Sequence, residues 1–123
     1  MAASDLLQLE HVHVHATDME RMGAFLENGF GARLVTRRST NGYDNWEYEL
    51  GGIGLFLAKS DRTRVPGQLD HLGFRVTDIK DAIAHLQALG CTVEEGPVVW
   101  RADLTFAYLT GPEGLRIELL QRS

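Results

Sequence analysis

The sequence predicts an α+β fold built from two related β-α-β-β-β modules in one domain, and three observations predict it. The chain matches itself at an offset of 60, where Leu9-Glu10-His11-Val12 aligns with Leu69-Asp70-His71-Leu72 and Thr17-Asp18-Met19 with Thr77-Asp78-Ile79. Near the end of each half, Gly52-Ile53-Gly54-Leu55 matches Gly114-Leu115-Arg116-Ile117 at an offset of 62. In both halves the apolar pattern then follows one order, a two-residue period, a helical period, and a two-residue period again. Two copies of about 60 residues make a pseudo-symmetric domain, because a solenoid needs three or more repeats. The modules span about residues 7–60 and 67–122 of a single domain, residues 1–123.

Each element has a local reason. His11-Val12-His13-Val14-His15 alternates strictly, as a strand with two different faces does. Thr17, with Glu20 three residues on, is expected to form a capping box. Met19, Met22, Phe25 and Leu26 then supply the apolar stripe of a helix that Gly29 and Gly31 end. Three strands follow over 33–39, 45–50 and 53–58, separated by Asn41-Gly42 and Gly51-Gly52 as turns. The second half repeats this with a strand over 69–76, a helix over 79–89 that buries Ile79, Ala82, Ile83 and Leu86, and strands near Val98, Thr105 and Ile117. The polar stretch 59–68, carrying Pro66-Gly67, is the joint.

Bulk composition narrows the function classes. The 123 residues are 44% hydrophobic and 24% charged, which fits a globular domain with an ordinary core. A net charge of -5, with Arg37-Arg38 the only basic doublet, argues against wrapping nucleic acid, which needs clustered cations over the phosphates. Cys91 is the one cysteine, so no internal disulfide forms, and it is expected to be a small, half-buried apolar residue. No run approaches the roughly 18 apolar residues of a membrane span, and the first residues lack a signal-peptide pattern. The expectation is a cytoplasmic protein without nucleic-acid or membrane partners.

The repeat also points to chemistry. His11 and His71 occupy equivalent positions, and a purely structural role there would be filled more cheaply by an apolar residue. Glu118 interrupts the apolar run Leu115-Arg116-Ile117-Glu118-Leu119-Leu120, where a buried carboxylate needs a cation partner. Two imidazoles and one carboxylate form a metal-ligand set that leaves positions open for water, substrate or dioxygen. Strand alternation puts His13 on the face of His11, where it can shuttle protons to a bound substrate. His15, paired in the repeat with Arg75, is expected at a rim, and Tyr43, Trp46 and Trp100 are candidates to line an aromatic pocket, with core packing an equal alternative.

From Leu9 to Gln121 the chain resembles the vicinal oxygen chelate superfamily, which includes glyoxalase I, methylmalonyl epimerases, fosfomycin-resistance thiol transferases, extradiol dioxygenases and metal-free antibiotic-binding proteins. The likeness rests on the His11 and His71 strand starts, the Thr-Asp helix openings, the two-unit length and the ending from Tyr108 through Gly111-Pro112-Glu113-Gly114 to Glu118. It implies a glyoxalase-like cup, one divalent metal ion per site held by His11, His71 and Glu118, a small oxygen-chelating substrate and a homodimer. It also implies a substrate-facing tyrosine at Tyr108, either as a phenol that hydrogen-bonds a metal-bound oxygen or as an aromatic wall. Phe56 falls where glyoxalase I and the epimerases carry a fourth ligand or base, so the expectation shifts to the three-ligand members. An Fe(II)-dependent ring-cleaving, extradiol-type dioxygenase is favoured, with Mn, Ni, Zn or Co as other metals. The alternatives are a glyoxalase-type isomerase, epimerase or lyase, a thiol transferase, and a metal-free drug-binding resistance protein.

Overall fold

The computed structural model describes residues 3–40, 42–60 and 66–123. Asn41 of the expected turn and residues 61–65 of the expected joint lie outside the described residues. A short helix α1 (Ala3–Leu6) leads into β1 (Leu7–Ala16), α2 (Met19–Phe30), β2 (Arg33–Thr40), β3 (Tyr43–Leu50) and β4 (Ile53–Lys59). The second series is β5 (Leu69–Val76), α3 (Ile79–Ala88), β6 (Thr92–Arg101), β7 (Leu104–Thr110) and β8 (Arg116–Arg122), with a 3-10 turn at Pro112–Gly114. This is the expected α+β fold of two β-α-β-β-β series. By contacts the chain groups into two compact units, His11–Asp70 and Met1–Glu10 with His71–Ser123, so the division falls inside β1.

In the His11–Asp70 unit the strand order is β2-β3-β4-β1, with β1 parallel to β4 and the others antiparallel. One face packs on α2, burying Ala16, Trp46, Tyr48, Leu55 and Leu57 against Met19 and Leu26, with Val12 and Val14 partly buried beside them. Alternation sends His11, His13, Phe56 and Glu47 to the opposite face. In the other unit the order is β5-β8-β7-β6, and α3 covers Val76, Ala107, Leu109, Ile117 and Leu119 through Ile79, Ala82 and Ile83. Cys91 belongs to that core, as a small apolar residue would.

Three local expectations are corrected. Asp18, not Thr17, is the N-cap of α2, and its carboxylate accepts from the Arg21 N–H at 3.0 Å. With the cap moved one residue on, Glu20 is no longer at the third helical position, and the expected box does not form. Phe25, placed in the buried stripe, is 58% exposed and packs edge to face on Phe30 at 5.4 Å between centroids. Gly29 lies inside α2, which runs to Phe30, and Gly31 alone terminates it, at φ 73° with its N–H on the Glu27 carbonyl.

The helix-covered face of the His11–Asp70 unit is tight at one point. A Cβ on Gly23 would stand 2.5 Å from the Tyr48 hydroxyl and 3.2 Å from the Trp46 ring, and both aromatics are buried. Gly23→Ala is therefore expected to lower unfolding stability by about 1–3 kcal/mol despite the better helix propensity of alanine, measured by urea denaturation. Burial pushes the Tyr48 phenol above its ordinary pKa of 10.0, and the Glu27 charge adds to this. Because the folded value lies above the unfolded one, the contribution is intact below about pH 10 and is lost as pH rises through the folded value. Tyr48→Phe should flatten the alkaline fall in stability, read from denaturation midpoints between pH 8 and 11.

Candidate functional site

The ladders define equivalent positions in the two units. His13 pairs with Phe56 in the β1–β4 ladder, and Gly73 pairs with Glu118 in the β5–β8 ladder. Phe56 thus holds in one unit the place that Glu118 holds in the other, as the repeat predicts. Both ladders are parallel and both put these residues on the face away from the helix.

In the unit of residues 1–10 and 71–123, β5 and β8 bring together His71 and Glu118. The imidazole Nε2 lies 3.3 Å from the carboxylate Oε1, with the side chains 2% and 13% exposed. Taking a carboxylate out of water costs several kcal/mol unless a cation or donor compensates it, and here the His71 imidazole stands beside it. Tyr108 lies directly opposite Glu118 in the β7–β8 ladder, and its ring meets the His71 ring edge to face at 5.4 Å. The Arg116 guanidinium stacks 4.1 Å over Tyr108 and pairs with Glu94 at 3.3 Å, which fixes the phenol from its other side.

In the His11–Asp70 unit, His11 is 3% exposed, and Phe56 abuts its ring edge to face at 4.6 Å. An imidazole backed by a phenyl ring keeps a fixed orientation and meets little water. His13 lies on the same face, 6.3 Å from the Phe56 ring and stacked on His15 at 5.1 Å. His15 is not at a rim: it is 5% exposed, with Nε2 3.5 Å from the Asp70 carboxylate. Its position on β1 puts it on the same buried row as His11 and His13, which the Arg75 equivalence concealed.

The aromatic candidates separate. Trp46 is not a pocket wall: it is buried on the α2 side, beneath the Arg37 guanidinium at 4.0 Å, because it is one residue out of phase with Phe56's partner Glu47. Tyr43 is 41% exposed near the start of β3. Trp100 is 69% exposed on β6 and contacts Phe106 edge to face at 6.3 Å.

The sequence reading did not single out Glu47. It lies opposite Phe56 in the β3–β4 ladder, half-buried, on the face of His13. Glu49, two residues on, is taken up by the Gly52 N–H at 2.9 Å and by Arg33 at 3.9 Å, whereas no such partner among the described residues engages Glu47. The signal was present in Asn45-Trp-Glu-Tyr-Glu-Leu50, where alternation puts both glutamates away from the core; choosing between them needed the hairpin register.

Comparison with known proteins gives the geometry its family. The family model described as Glyoxalase/Bleomycin resistance protein/Dioxygenase superfamily matches residues 8–119. The chain belongs to that superfamily. Among its relatives is YaeR of Escherichia coli (strain K12), 27% identical over 126 residues that cover 95% of this chain and 98% of YaeR. The fold is similar to that of the BH1468 protein of Bacillus halodurans C-125, with a TM-score of 0.75, 17% identity and 95% of each chain covered. Methylmalonyl-CoA epimerase of Mycobacterium tuberculosis matches with the same TM-score of 0.75 at 18% identity, covering 100% of this chain and 93% of the epimerase. At these identities the likeness is one of fold. No described helix is long and apolar enough to cross a membrane.

Proposed function

We propose that the protein is a metal-dependent enzyme of this superfamily that grips a small substrate through neighbouring oxygens and moves a proton on it, as an isomerase or epimerase does. The observation that carries this reading is Glu47, a half-buried carboxylate beside Phe56 on the face that holds His11 and His13. Its position calls for a reaction that needs a base. The fold likeness to methylmalonyl-CoA epimerase supports it.

His11, His71 and Glu118 are proposed to hold the ion. What supports this set is its chemistry: among the described residues, these three are the group of His, Cys, Asp and Glu side chains suited to a metal. The close His71–Glu118 pair and the deep burial of both histidines also suit a ligand set. A divalent ion held there supplies Lewis-acid stabilisation of charge on the substrate oxygens. The residues of the chain do the rest. Glu47 takes the proton from carbon and returns it, His13 relays protons, and the Tyr108 hydroxyl donates to a substrate oxygen. Phe56 keeps water from the reacting carbon and leaves the ligand count at three.

That three-ligand count favours a second reading, an Fe(II)-dependent ring-cleaving dioxygenase, because open ligand positions accommodate dioxygen. The family resemblance supports, in addition, a homodimer and Mn, Ni, Zn or Co as other candidate ions.

Two experiments test the assignment. Elemental analysis of protein purified without a histidine tag should find one divalent ion per chain, and His71→Ala or Glu118→Ala should lose most of it while circular dichroism stays native. Full metal occupancy in either folded variant would sink the ligand set. The proton transfer is read by NMR as exchange of carbon-bound hydrogen with deuterated water, using methylmalonyl-CoA and small α-hydroxy ketones as probes. Glu47→Gln should slow exchange by about 10²- to 10⁴-fold at unchanged metal content. Oxygen uptake with catechols, without any exchange, would move the assignment to the dioxygenase.

A further inference from the structure

The two units share one topology, yet their helix-free faces have diverged, and the difference falls at matched positions. Beside Phe56 in one unit stands Glu47, with Asn45 next along the strand opposite Ala58. Beside Glu118 in the other stands Tyr108, with Phe106 next along the strand opposite Leu120. One row is polar and small, and its counterpart is aromatic and large.

The aromatic row continues outward. Tyr108 meets Phe106 at 5.8 Å and Phe106 meets Trp100 at 6.3 Å, both near edge to face, while the inner end of the row touches His71 at 5.4 Å. Rings in this arrangement are held by one another and present a continuous apolar surface. Trp100 closes the row at 69% exposure on the edge strand β6. An indole this exposed, with the Arg101 guanidinium 5.9 Å from its ring, at the end of a ring ladder that begins on a metal-ligand candidate is best accounted for by a ligand that lies along the ladder.

We infer that Tyr108, Phe106 and Trp100 form a wall that takes a planar ring or conjugated arm of the substrate, so that the substrate class carries an aromatic or conjugated group next to its chelating oxygens. The inference rests on the proposed metal-enzyme reading for the chelating end, and on the ring geometry alone for the planar end. Glu47 and Asn45 then serve the chemistry while the aromatic row serves recognition, a division of labour that the matched positions permit and an exact repeat would not.

Intrinsic fluorescence tests it on the intact chain. There are two tryptophans, and Trp46 is 6% exposed, so quenching by a small solute reports on Trp100 and is identified by its absence in Trp100→Phe. The probes are 4-nitrocatechol, which chelates, and 4-nitrophenol, which does not, with absorbance corrected against free tryptophan. Both are expected to quench saturably, with 4-nitrocatechol the tighter only in metal-loaded protein. Phe106→Ala should weaken both by about tenfold, and Trp100→Ala, at an exposed position that folding tolerates, should do so by a smaller factor in calorimetry. Saturable quenching by both probes with no effect of metal removal would support the wall and count against the metal reading. Absence of saturable quenching by either probe, or unchanged affinity in both variants, would overturn the wall. So would emission that is already blue-shifted and reddens on dilution, because a second copy of the chain would then cover Trp100.

Discussion

Each four-stranded layer has a single helix to cover it, so one face of every strand must be apolar enough to pack on that helix and the other face is released from the task. In the His11–Asp70 unit, Ala16, Trp46, Tyr48, Leu55 and Leu57 meet α2. In the other unit, Val76, Ala107, Leu109, Ile117 and Leu119 meet α3. The period of two then assigns every remaining strand residue to the opposite face without further choice. Shifting β1 or β5 by one residue would turn their histidines under a helix and expose their core residues.

The released faces carry the polar burial that the protein tolerates. His11, His15 and His71 are the buried polar residues among those described, at 3%, 5% and 4% exposure, and none of them sits under a helix. Burial of that kind is costly unless partners compensate it, and His71 stands beside the Glu118 carboxylate and His15 beside the Asp70 carboxylate. Aromatic contacts add orientation. Phe56 braces His11 and Tyr108 braces His71, each near perpendicular, so the two units use different rings at different strand positions to hold equivalent histidines.

Pseudo-symmetry supplies the positions, and divergence at those positions supplies the function. The pairs His13/Gly73, Phe56/Glu118, Glu47/Tyr108 and Asn45/Phe106 have the same backbone roles and different chemistry. A duplicated unit offers each position twice, and while the proposed ligand set uses both copies of the histidine, His11 and His71, other positions have a copy to spare. The spare copies are then available for water exclusion, as proposed for Phe56, or for recognition, as proposed for Phe106.

By itself the sequence determined the fold, because offsets of 60 and 62 and the switch from strand to helix periodicity are properties of neighbouring residues and are legible in one dimension. It also marked His11, His71 and Glu118 as unusual, since polar residues inside apolar alternation stand out locally. Helix capping by Asp18 in place of Thr17 escaped it, because adjacent residues both have capping side chains and the backbone angles choose between them. Phase within a strand was visible, but the phase of one strand against the next was not. Trp46 therefore stayed open between pocket and core and Glu47 was passed over, although they are adjacent and face opposite ways. Hairpin register is set by the turn and by the packing of both strands on α2, and these join residues that the sequence keeps apart. Tertiary structure alone decided it, as it decided that His15 is buried against Asp70, a residue 55 positions away.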